Sequence, residues 1–172
     1  MKSTSLISLL ALALLCWASP GLAQTTTVTP STTTLLPQGG DITFSVNTAF
    51  TLSSLNTKDV LILDARSPER FRGENETLDP VGGHIPGAQN RFYFDNLDDD
   101  GCFFKPAGTL HAEFTALLGA RHPASVIHQC GSGVTACHNL LAMKLAGLDG
   151  SRLYPGSWSE WCADPARPVA KG

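Results

Sequence analysis

The sequence contains no run of lysine or arginine, and its formal net charge at pH 7 is -3. Proteins that follow a nucleic-acid backbone neutralise phosphates with clustered cations, so we expect no nucleic-acid partner. No segment recurs with the period of a solenoid repeat. The 172 residues, of which 42% are apolar, instead predict one domain with its own hydrophobic core and an additional tail.

Close cysteine pairs are also missing. The cysteines outside the N-terminal hydrophobic run are Cys102, Cys130, Cys137 and Cys162, and no two of them have only two residues between them. Structural zinc sites and protein-disulfide oxidoreductases use such pairs, so neither is expected. Residues 96–101 begin like a calcium loop, but its twelfth position would be Ala107 instead of a bidentate glutamate. We therefore predict no metal site and interpret residues 96–101 as an acidic surface loop.

A long hydrophobic run occurs only near the N-terminus. Residues 6–17 are apolar, Lys2 precedes them, and small residues around Ala23 suit a cleavage point. The run is shorter than the roughly 20 residues of a transmembrane helix, so residues 1–23 are predicted to be a secretory signal peptide, with an uncleaved membrane anchor as the alternative. We expect a periplasmic or secreted protein with no membrane attachment after cleavage.

Residues 24–40 are rich in threonine, contain two prolines and offer no face that could be buried. They are predicted to be a flexible spacer, so the folded domain would span residues 41–172. At its start, residues 42–46 predict a first strand at a sheet edge, and residues 51–55 predict one helical turn.

The strongest chemical signal lies between residues 125 and 137. The β-branched residues before Cys130 predict a buried strand, and apolar residues at helical spacing from 136 to 145 predict a helix. Between them, Gly131 and Gly133 permit backbone angles that other residues avoid. The pattern is typical of a strand, a tight loop and a helix.

Such a loop points backbone N–H groups at its centre, where they and the helix dipole attract an anion. This environment favours the thiolate form of Cys130, which is the nucleophilic form of cysteine. Ser132 and Thr135 add hydroxyl donors. The alternative is an inert buried cysteine, which would leave the two glycines without a role.

A second polar cluster follows the apolar run at residues 60–63, where Asp64 and Arg66 end a predicted strand and Pro68 begins a short predicted helix. Sites in parallel sheets collect at the carboxyl ends of strands, so we expect this cluster near the cysteine. Asp64 and Arg66 are interpreted as links between loops. Either Arg70 or Arg72 could face the cysteine loop, and Arg70 is favoured as the residue that contacts a bound anion.

The remaining pattern alternates strands and helices and predicts an α/β three-layer domain with a central parallel sheet flanked by helices. His84 has the chemistry of a general acid or base, but a turn-stabilising role bonded to backbone is favoured. Trp158 and Trp161 are expected to brace the core and the floor of the cysteine loop. A cysteine phosphatase would close the loop with an arginine six residues after Cys130; Ala136 stands there, so phosphate-ester hydrolysis is not expected.

Four motifs occur in order: DARSPERFRG at 64–73, GHIPGA at 83–88, CGSGVT at 130–135 and GSWSEW at 156–161. Over about residues 41–165 the chain resembles the catalytic, C-terminal rhodanese domain of thiosulfate and 3-mercaptopyruvate sulfurtransferases. The resemblance implies a rhodanese-like fold and a two-step reaction. Cys130 would take a sulfane sulfur from a small-molecule donor as a covalent persulfide, without a separate cofactor, and pass it to cyanide or a thiol acceptor.

The same resemblance implies roles for single residues. Arg70 matches the arginine that binds the anionic group of the donor. The residues that would cradle the persulfide are Gly131, Ser132, Gly133, Val134 and Thr135. A non-catalytic persulfide carrier or sulfur-binding module would use the same residues, so it is the alternative function.

The sequence departs from the family in two ways. The segment at 76–82 lacks the second arginine of mercaptopyruvate enzymes, which favours thiosulfate as the donor, although the CGSGVT loop resembles the mercaptopyruvate type more. In addition, tandem enzymes carry a second domain that walls the active site. We therefore expect Cys130 either to be more open or to be covered by a partner, for instance a second copy in a homodimer.

Overall fold

The computed structural model describes Thr25–Thr26, Phe44–Ser45 and residues 59–172. The chain separates into two units, Met1–Ala49 and Phe50–Gly172, and each is described by itself. In the first unit, strand β1 (Thr25–Thr26) pairs antiparallel with strand β2 (Phe44–Ser45). Strand β2 lies within the strand predicted at 42–46, but it belongs to this two-stranded sheet and not to the main sheet. The predicted signal peptide, the helical turn at 51–55 and, apart from β1, the predicted spacer lie outside the described residues.

The second unit alternates strands and helices, which in chain order are β3 (Leu61–Asp64), α1 (Pro68–Arg72), β4 (Gln89–Asn90), α2 (Ala107–Leu118), β5 (Val126–Gln129), α3 (Val134–Leu145), β6 (Arg152–Leu153) and α4 (Ser157–Ala163). Two short 3-10 turns lie at Tyr93–Asn96 and Pro123–Ser125. The four strands are parallel in the order β4-β3-β5-β6, with Ile62 beside Ile127 in the central pair. The predicted α/β domain with a central parallel sheet flanked by helices is confirmed.

Both faces of this sheet are covered, which explains why β3 and β5 are apolar on both sides and do not alternate. On one face, Leu61 and Leu63 pack with buried side chains of α2 and α3. On the other face, Ile62 and Ile127 pack with Tyr154, Trp158 and Trp161. The two tryptophans are buried, so their predicted role in the core is confirmed.

The helices that flank the site begin and end at identifiable residues. Helix α1 begins at Pro68, as predicted, and Gly73 caps it in the left-handed conformation. Helix α3 begins at Val134, two residues before the predicted periodic run, because Gly133 already turns the chain into the helix. Gly147, two residues after the end of α3, has a φ of 73°.

The prediction of an acidic surface loop at 96–101 is wrong for its first residue. Asn96 is fully buried; its side-chain oxygen accepts from Nε of Arg91 at 3.0 Å, and its amide nitrogen donates to Asn139 at 2.6 Å. Asp99 and Asp100 are exposed, as expected. The residues that the structure describes contain no group of three or more His, Cys, Asp or Glu side chains that could hold a metal ion. No helix in the same part of the chain is both long and apolar enough to cross a bilayer.

Candidate active site

The carboxyl ends of β3 and β5 meet at one edge of the sheet. Asp64 and Gln129 are partners in the register of these strands, and the backbone N–H of Ala65 donates to the Gln129 carbonyl at 2.9 Å. Cys130 follows directly. The polar cluster after β3 and the cysteine therefore lie at the same sheet edge, where open α/β sheets place their sites.

The backbone of Cys130 is held by the first turn of α4. Its N–H donates to the hydroxyl oxygen of Ser157 at 3.1 Å, and its carbonyl accepts from the N–H of Trp158 at 3.0 Å. Cys130 is 2% exposed within this single chain. This low exposure is reached without a second chain, and the expectation of a cysteine that is more open than in tandem enzymes or covered by a partner stays a prediction.

The N–H groups of the cysteine loop point away from α4. The carbonyls of Cys130 and Gly131 accept from N–H groups of α4, and the N–H of a trans peptide points opposite to its carbonyl. The N–H groups of Gly131 and Ser132 consequently face the other side. In the described part of the chain, neither they nor the N–H of Gly133 donates a hydrogen bond. These three donors at the start of α3 form an arrangement that attracts an anion.

The two glycines of the loop act differently. Gly133 has a φ of 85°, and a β-carbon added there would lie 2.6 Å from the carbonyl oxygen of Pro155, so only glycine fits. Gly131 is not in the left-handed region, so the freedom to adopt a positive φ that both glycines offer is used at Gly133 and not at Gly131. A β-carbon at Gly131 would instead meet the guanidinium nitrogens of Arg70 at 3.5 Å.

The other predicted cradle residues line the transition from loop to helix. Ser132 is exposed, Val134 is the first residue of α3 and 45% exposed, and Thr135 is half-buried in the first turn. Among the described residues, the hydroxyls of Ser132 and Thr135 form no hydrogen bond with another side chain or carbonyl. Both hydroxyls are therefore available to a ligand.

Arg70 reaches the cysteine loop from α1, as its position after β3 predicts. Its Nε and Nη2 donate to the carboxylate of Glu76 at 2.8 to 3.1 Å, and Nη2 also donates to Asp79 at 3.2 Å. Its Nη1 has no hydrogen-bond partner in the part of the chain that the structure describes. The Arg70 side chain is 19% exposed, and a β-carbon at Gly131 would lie 3.5 Å from both of its Nη atoms, so its guanidinium borders the cysteine loop.

Glu76 and Asp79 are candidate site residues that sequence reasoning missed, because it considered the segment at 76–82 only for the second arginine that it lacks. Burial alone would raise the pKa of Glu76, but hydrogen bonds from Arg70 and from the backbone of Leu78 and Asp79 outweigh burial and lower that pKa. Glu76 is therefore an anion at neutral pH. The available signal was a pair of acidic residues within ten positions of a predicted substrate arginine.

The segment that carries these acids is fastened to α4. Nε1 of Trp158 donates to the carbonyl of Val81 at 2.8 Å, and the hydroxyl of Ser159 donates to Asp79 at 2.6 Å. Helix α4 thus holds both the cysteine loop and the acidic segment, which explains how two parts of the chain 50 residues apart keep one geometry.

Asp64 and Arg66 link loops, as predicted. Their side chains form an ion pair of 2.7 Å with almost no exposure, and Nη2 of Arg66 also donates to the carbonyl of Gly83 at 2.7 Å. The Arg66 guanidinium lies 4.7 Å above the ring of Trp158. The pair therefore joins β3 to the GHIPGA turn and to α4.

His84 stabilises its turn, as favoured from sequence. Its Nδ1 lies 2.8 Å from the carbonyl oxygen of Phe71, and its ring stacks on Phe71 at 3.8 Å between centroids. The backbone of His84 pairs with Ala170 near the C-terminus. These contacts join α1, the GHIPGA turn and the C-terminal segment.

Two polar side chains next to the cysteine are buried without partners. The ring nitrogens of His128 and the amide group of Gln129 form no hydrogen bond with the described residues. Burial lowers the pKa of His128 to about 3, so the ring is neutral at physiological pH.

The chain is similar to known proteins. The family model described as "Rhodanese-like domain" matches residues 50–164. The chain is 48% identical over 163 residues to a protein of Pseudomonas aeruginosa named "Probable 3-mercaptopyruvate sulfurtransferase", in a match that covers 92% of this chain and 56% of that protein. It is 38% identical over 127 residues to the mouse thiosulfate sulfurtransferase, covering 70% of this chain and 42% of that protein.

Among solved structures, the crystal structure of Tum1 protein from Saccharomyces cerevisiae superposes with a TM-score of 0.57 and 34% sequence identity, covering 66% of this chain and 40% of that one. The chain thus spans about half the length of the curated relatives it matches. The match to the Pseudomonas protein also extends beyond residues 50–164, because it covers 92% of the chain. The family model alone matches well over half of the sequence, and the chain belongs to the rhodanese-like family.

Proposed function

We propose that this chain is a sulfurtransferase in which Cys130 carries a sulfane sulfur as a persulfide. The support is a cysteine that precedes three backbone N–H donors without a hydrogen-bond partner among the described residues, together with an arginine at the same loop. Relatives named as sulfurtransferases support the same reaction class. Because those relatives are about twice as long, the activity of this shorter chain is a proposal of its own.

With thiosulfate as donor, the Cys130 thiolate attacks the outer sulfur. The new bond joins the two sulfurs, the donor's S–S bond breaks, and sulfite leaves with the bonding electron pair. With 3-mercaptopyruvate, the donor's C–S bond breaks instead, and the thiol proton goes to carbon as pyruvate forms. In the second step, cyanide attacks the outer persulfide sulfur and leaves as thiocyanate, which returns the thiolate.

The loop supports each anionic species in this scheme. A thiolate and a persulfide both carry their charge on sulfur, and the N–H groups of Gly131, Ser132 and Gly133 together with the dipole of α3 stabilise such charge. Arg70 would bind the sulfonate or carboxylate of the donor through Nη1. Thiosulfate is the proposed donor and 3-mercaptopyruvate the alternative, because the segment at 76–82 supplies no second arginine.

The test is steady-state production of thiocyanate from thiosulfate and cyanide, with 3-mercaptopyruvate compared as donor. We expect catalytic turnover, and Cys130→Ser should abolish it. Cys102→Ser is the matched control, since Cys102 is an exposed thiol on the acidic loop. Turnover retained by Cys130→Ser would refute the assignment of the site.

A persulfide carrier is the second candidate, because Cys130 is almost inaccessible within this chain. A carrier would release one equivalent of thiocyanate and stop. Intact mass after incubation with thiosulfate should show one added sulfur atom in both cases, and only the enzyme would continue to turn over. The same mass measurement on exported protein would test the proposed cleavage after Ala23.

A further inference from the structure

We infer that Glu76 is a positioning residue for the sulfur donor: it holds Arg70 so that a single edge of the guanidinium faces the cysteine loop. This inference rests on the proposed function, because it concerns how the anionic donor is bound at Arg70. Glu76 would not contact the donor itself.

The acidic contacts of Arg70 are all made by two nitrogens of its guanidinium, Nε and Nη2. Both carboxylate oxygens of Glu76 lie 3.1 Å from Nε, and Oε1 lies 2.8 Å from Nη2. Asp79 adds a contact of 3.2 Å to Nη2. Nη1 is the nitrogen left without a partner among the described residues, and the end of the guanidinium formed by Nη1 and Nη2 faces Gly131, where a β-carbon would lie 3.5 Å from each. A bidentate pair of this kind fixes the plane of the guanidinium as well as its position.

Glu76 can act as an anchor because it is itself held from several sides. Its Oε1 accepts from the backbone N–H of Leu78 at 3.0 Å and of Asp79 at 3.2 Å, and Arg66 lies 3.4 Å from Oε2. Its side chain is 4% exposed, whereas that of Arg70 is 19% exposed. The carboxylate is thus the fixed partner, and the arginine is the group that would move without it.

Glu76 affects an anionic donor in two opposing ways. Its negative charge weakens the attraction of the donor, but solvent at the partly exposed Arg70 reduces this effect to a few-fold at most. By holding Arg70 in place, Glu76 preserves the hydrogen bond from Arg70 to the anionic group of the donor. A hydrogen bond to a charged group changes the binding affinity by a factor of roughly 10 to 100. The second effect is larger, so removing the carboxylate should weaken donor use.

The experiment measures kcat/KM for thiosulfate and for cyanide separately, since each reports one half of a two-step transfer reaction. In Glu76→Gln we expect kcat/KM for thiosulfate to fall about tenfold, while kcat/KM for cyanide stays within about twofold. Glu74→Gln is the matched control. Glu74 forms a bidentate pair with Arg72, which lies on the same helix as Arg70, but that pair is exposed. It should leave both values unchanged.

Three outcomes would overturn the inference. A rise or no change in kcat/KM for thiosulfate would show that Glu76 acts only as a counter-charge or not at all. An equal fall for both substrates would show a purely structural role. A full further loss when Glu76→Gln is added to Arg70→Ala would show that Glu76 does not act through Arg70, because residues that act through one another are not additive.

Glu76→Asp provides a second variant that keeps the buried charge. It should fold even where the amide variant does not, and should lower kcat/KM for thiosulfate by about threefold because the shorter carboxylate is withdrawn from Arg70. An unchanged value would contradict the inference. Failure of the proposed function is a separate result, since wild-type protein would then produce no thiocyanate in the same assay.

Discussion

The backbone N–H of Cys130 donates to the hydroxyl oxygen of Ser157, and the Ser157 hydroxyl donates to the carbonyl oxygen of Tyr154. Ser157 is fully buried and has a φ of 51°, a conformation that residues other than glycine adopt at some energetic cost. The hydroxyl therefore connects the backbone of Cys130 to the turn that precedes α4, and its two hydrogen bonds offset the unfavourable φ.

Ser157→Ala should lower the free energy of unfolding by about 1–3 kcal/mol, because it removes the hydrogen-bond acceptor of the buried Cys130 N–H and the donor to the Tyr154 carbonyl. Ser157→Gly loses the same bonds but relieves the positive φ, so it should be the less destabilised of the two. Urea denaturation of both variants measures the difference. A glycine variant less stable than the alanine variant would show that the backbone at 157 is not strained.

Gly133→Ala should be more destabilising than the same change at another glycine of similar conformation. A β-carbon at 133 would approach the carbonyl oxygen of Pro155 to 2.6 Å, whereas one at Gly87, with a φ of 82°, would meet nothing within 4 Å. Gly87→Ala should therefore lower the free energy of unfolding only by the roughly 1–2 kcal/mol that a non-glycine residue costs in the left-handed conformation. Thermal or urea unfolding of both variants tests this, and equal losses would mean that the loop moves away from Pro155 at little cost.

Removing one partner of the buried Asp64–Arg66 pair should destabilise the domain strongly. Asp64→Asn leaves the Arg66 guanidinium buried without its principal counter-charge, a change that typically costs about 3–5 kcal/mol. Glu74→Gln breaks the exposed Arg72–Glu74 pair and should leave the free energy of unfolding nearly unchanged. Urea denaturation measures the free energy of unfolding of both variants under the same conditions. Similar losses would mean that burial does not distinguish the two pairs.

Local patterns predicted the parts of the site that lie next to one another in the chain. The β-branched residues, the glycines and the helical spacing around Cys130 predicted a strand, a loop and a helix, and the helix began only two residues earlier than expected. The apolar run before Asp64 predicted the neighbouring strand. Because parallel strands place their carboxyl ends at one sheet edge, the proximity of Arg70 to the cysteine loop also followed.

Contacts between distant segments were not predictable in the same way. The bond between Cys130 and Ser157 spans 27 residues, and that between Asp79 and Ser159 spans 80. Nothing in the local pattern of either segment specifies these partners. Glu76 was overlooked for the same reason, since a glutamate in a polar segment is usually solvated, and only the fold shows that its side chain is enclosed between two arginines.

The stability of the domain should fall as the pH falls below about 6.5, and His128 should account for a defined part of that fall. Burial lowers the pKa of His128 to about 3 and that of His138 to about 4, so the unfolded chain takes up protons that the folded chain does not. Each such histidine contributes up to about 1.4 kcal/mol per pH unit to the slope of the free energy of unfolding against pH. Its stabilising contribution is complete above about pH 6.5 and is lost as the pH falls toward the pKa of the folded state.

His128→Leu removes one of these two groups and also removes two buried nitrogens that have no partner among the described residues. Its free energy of unfolding at pH 7 should equal or exceed that of the wild type, because an apolar side chain leaves no polar atom unsatisfied. Between pH 6 and 4.5 its stability should decline less steeply, by up to about 1.4 kcal/mol per pH unit. Urea denaturation across this pH range measures both quantities. An unchanged slope together with a loss of stability at pH 7 would mean that the His128 ring is hydrogen-bonded in solution, for example to a buried water, and is not an isolated neutral group.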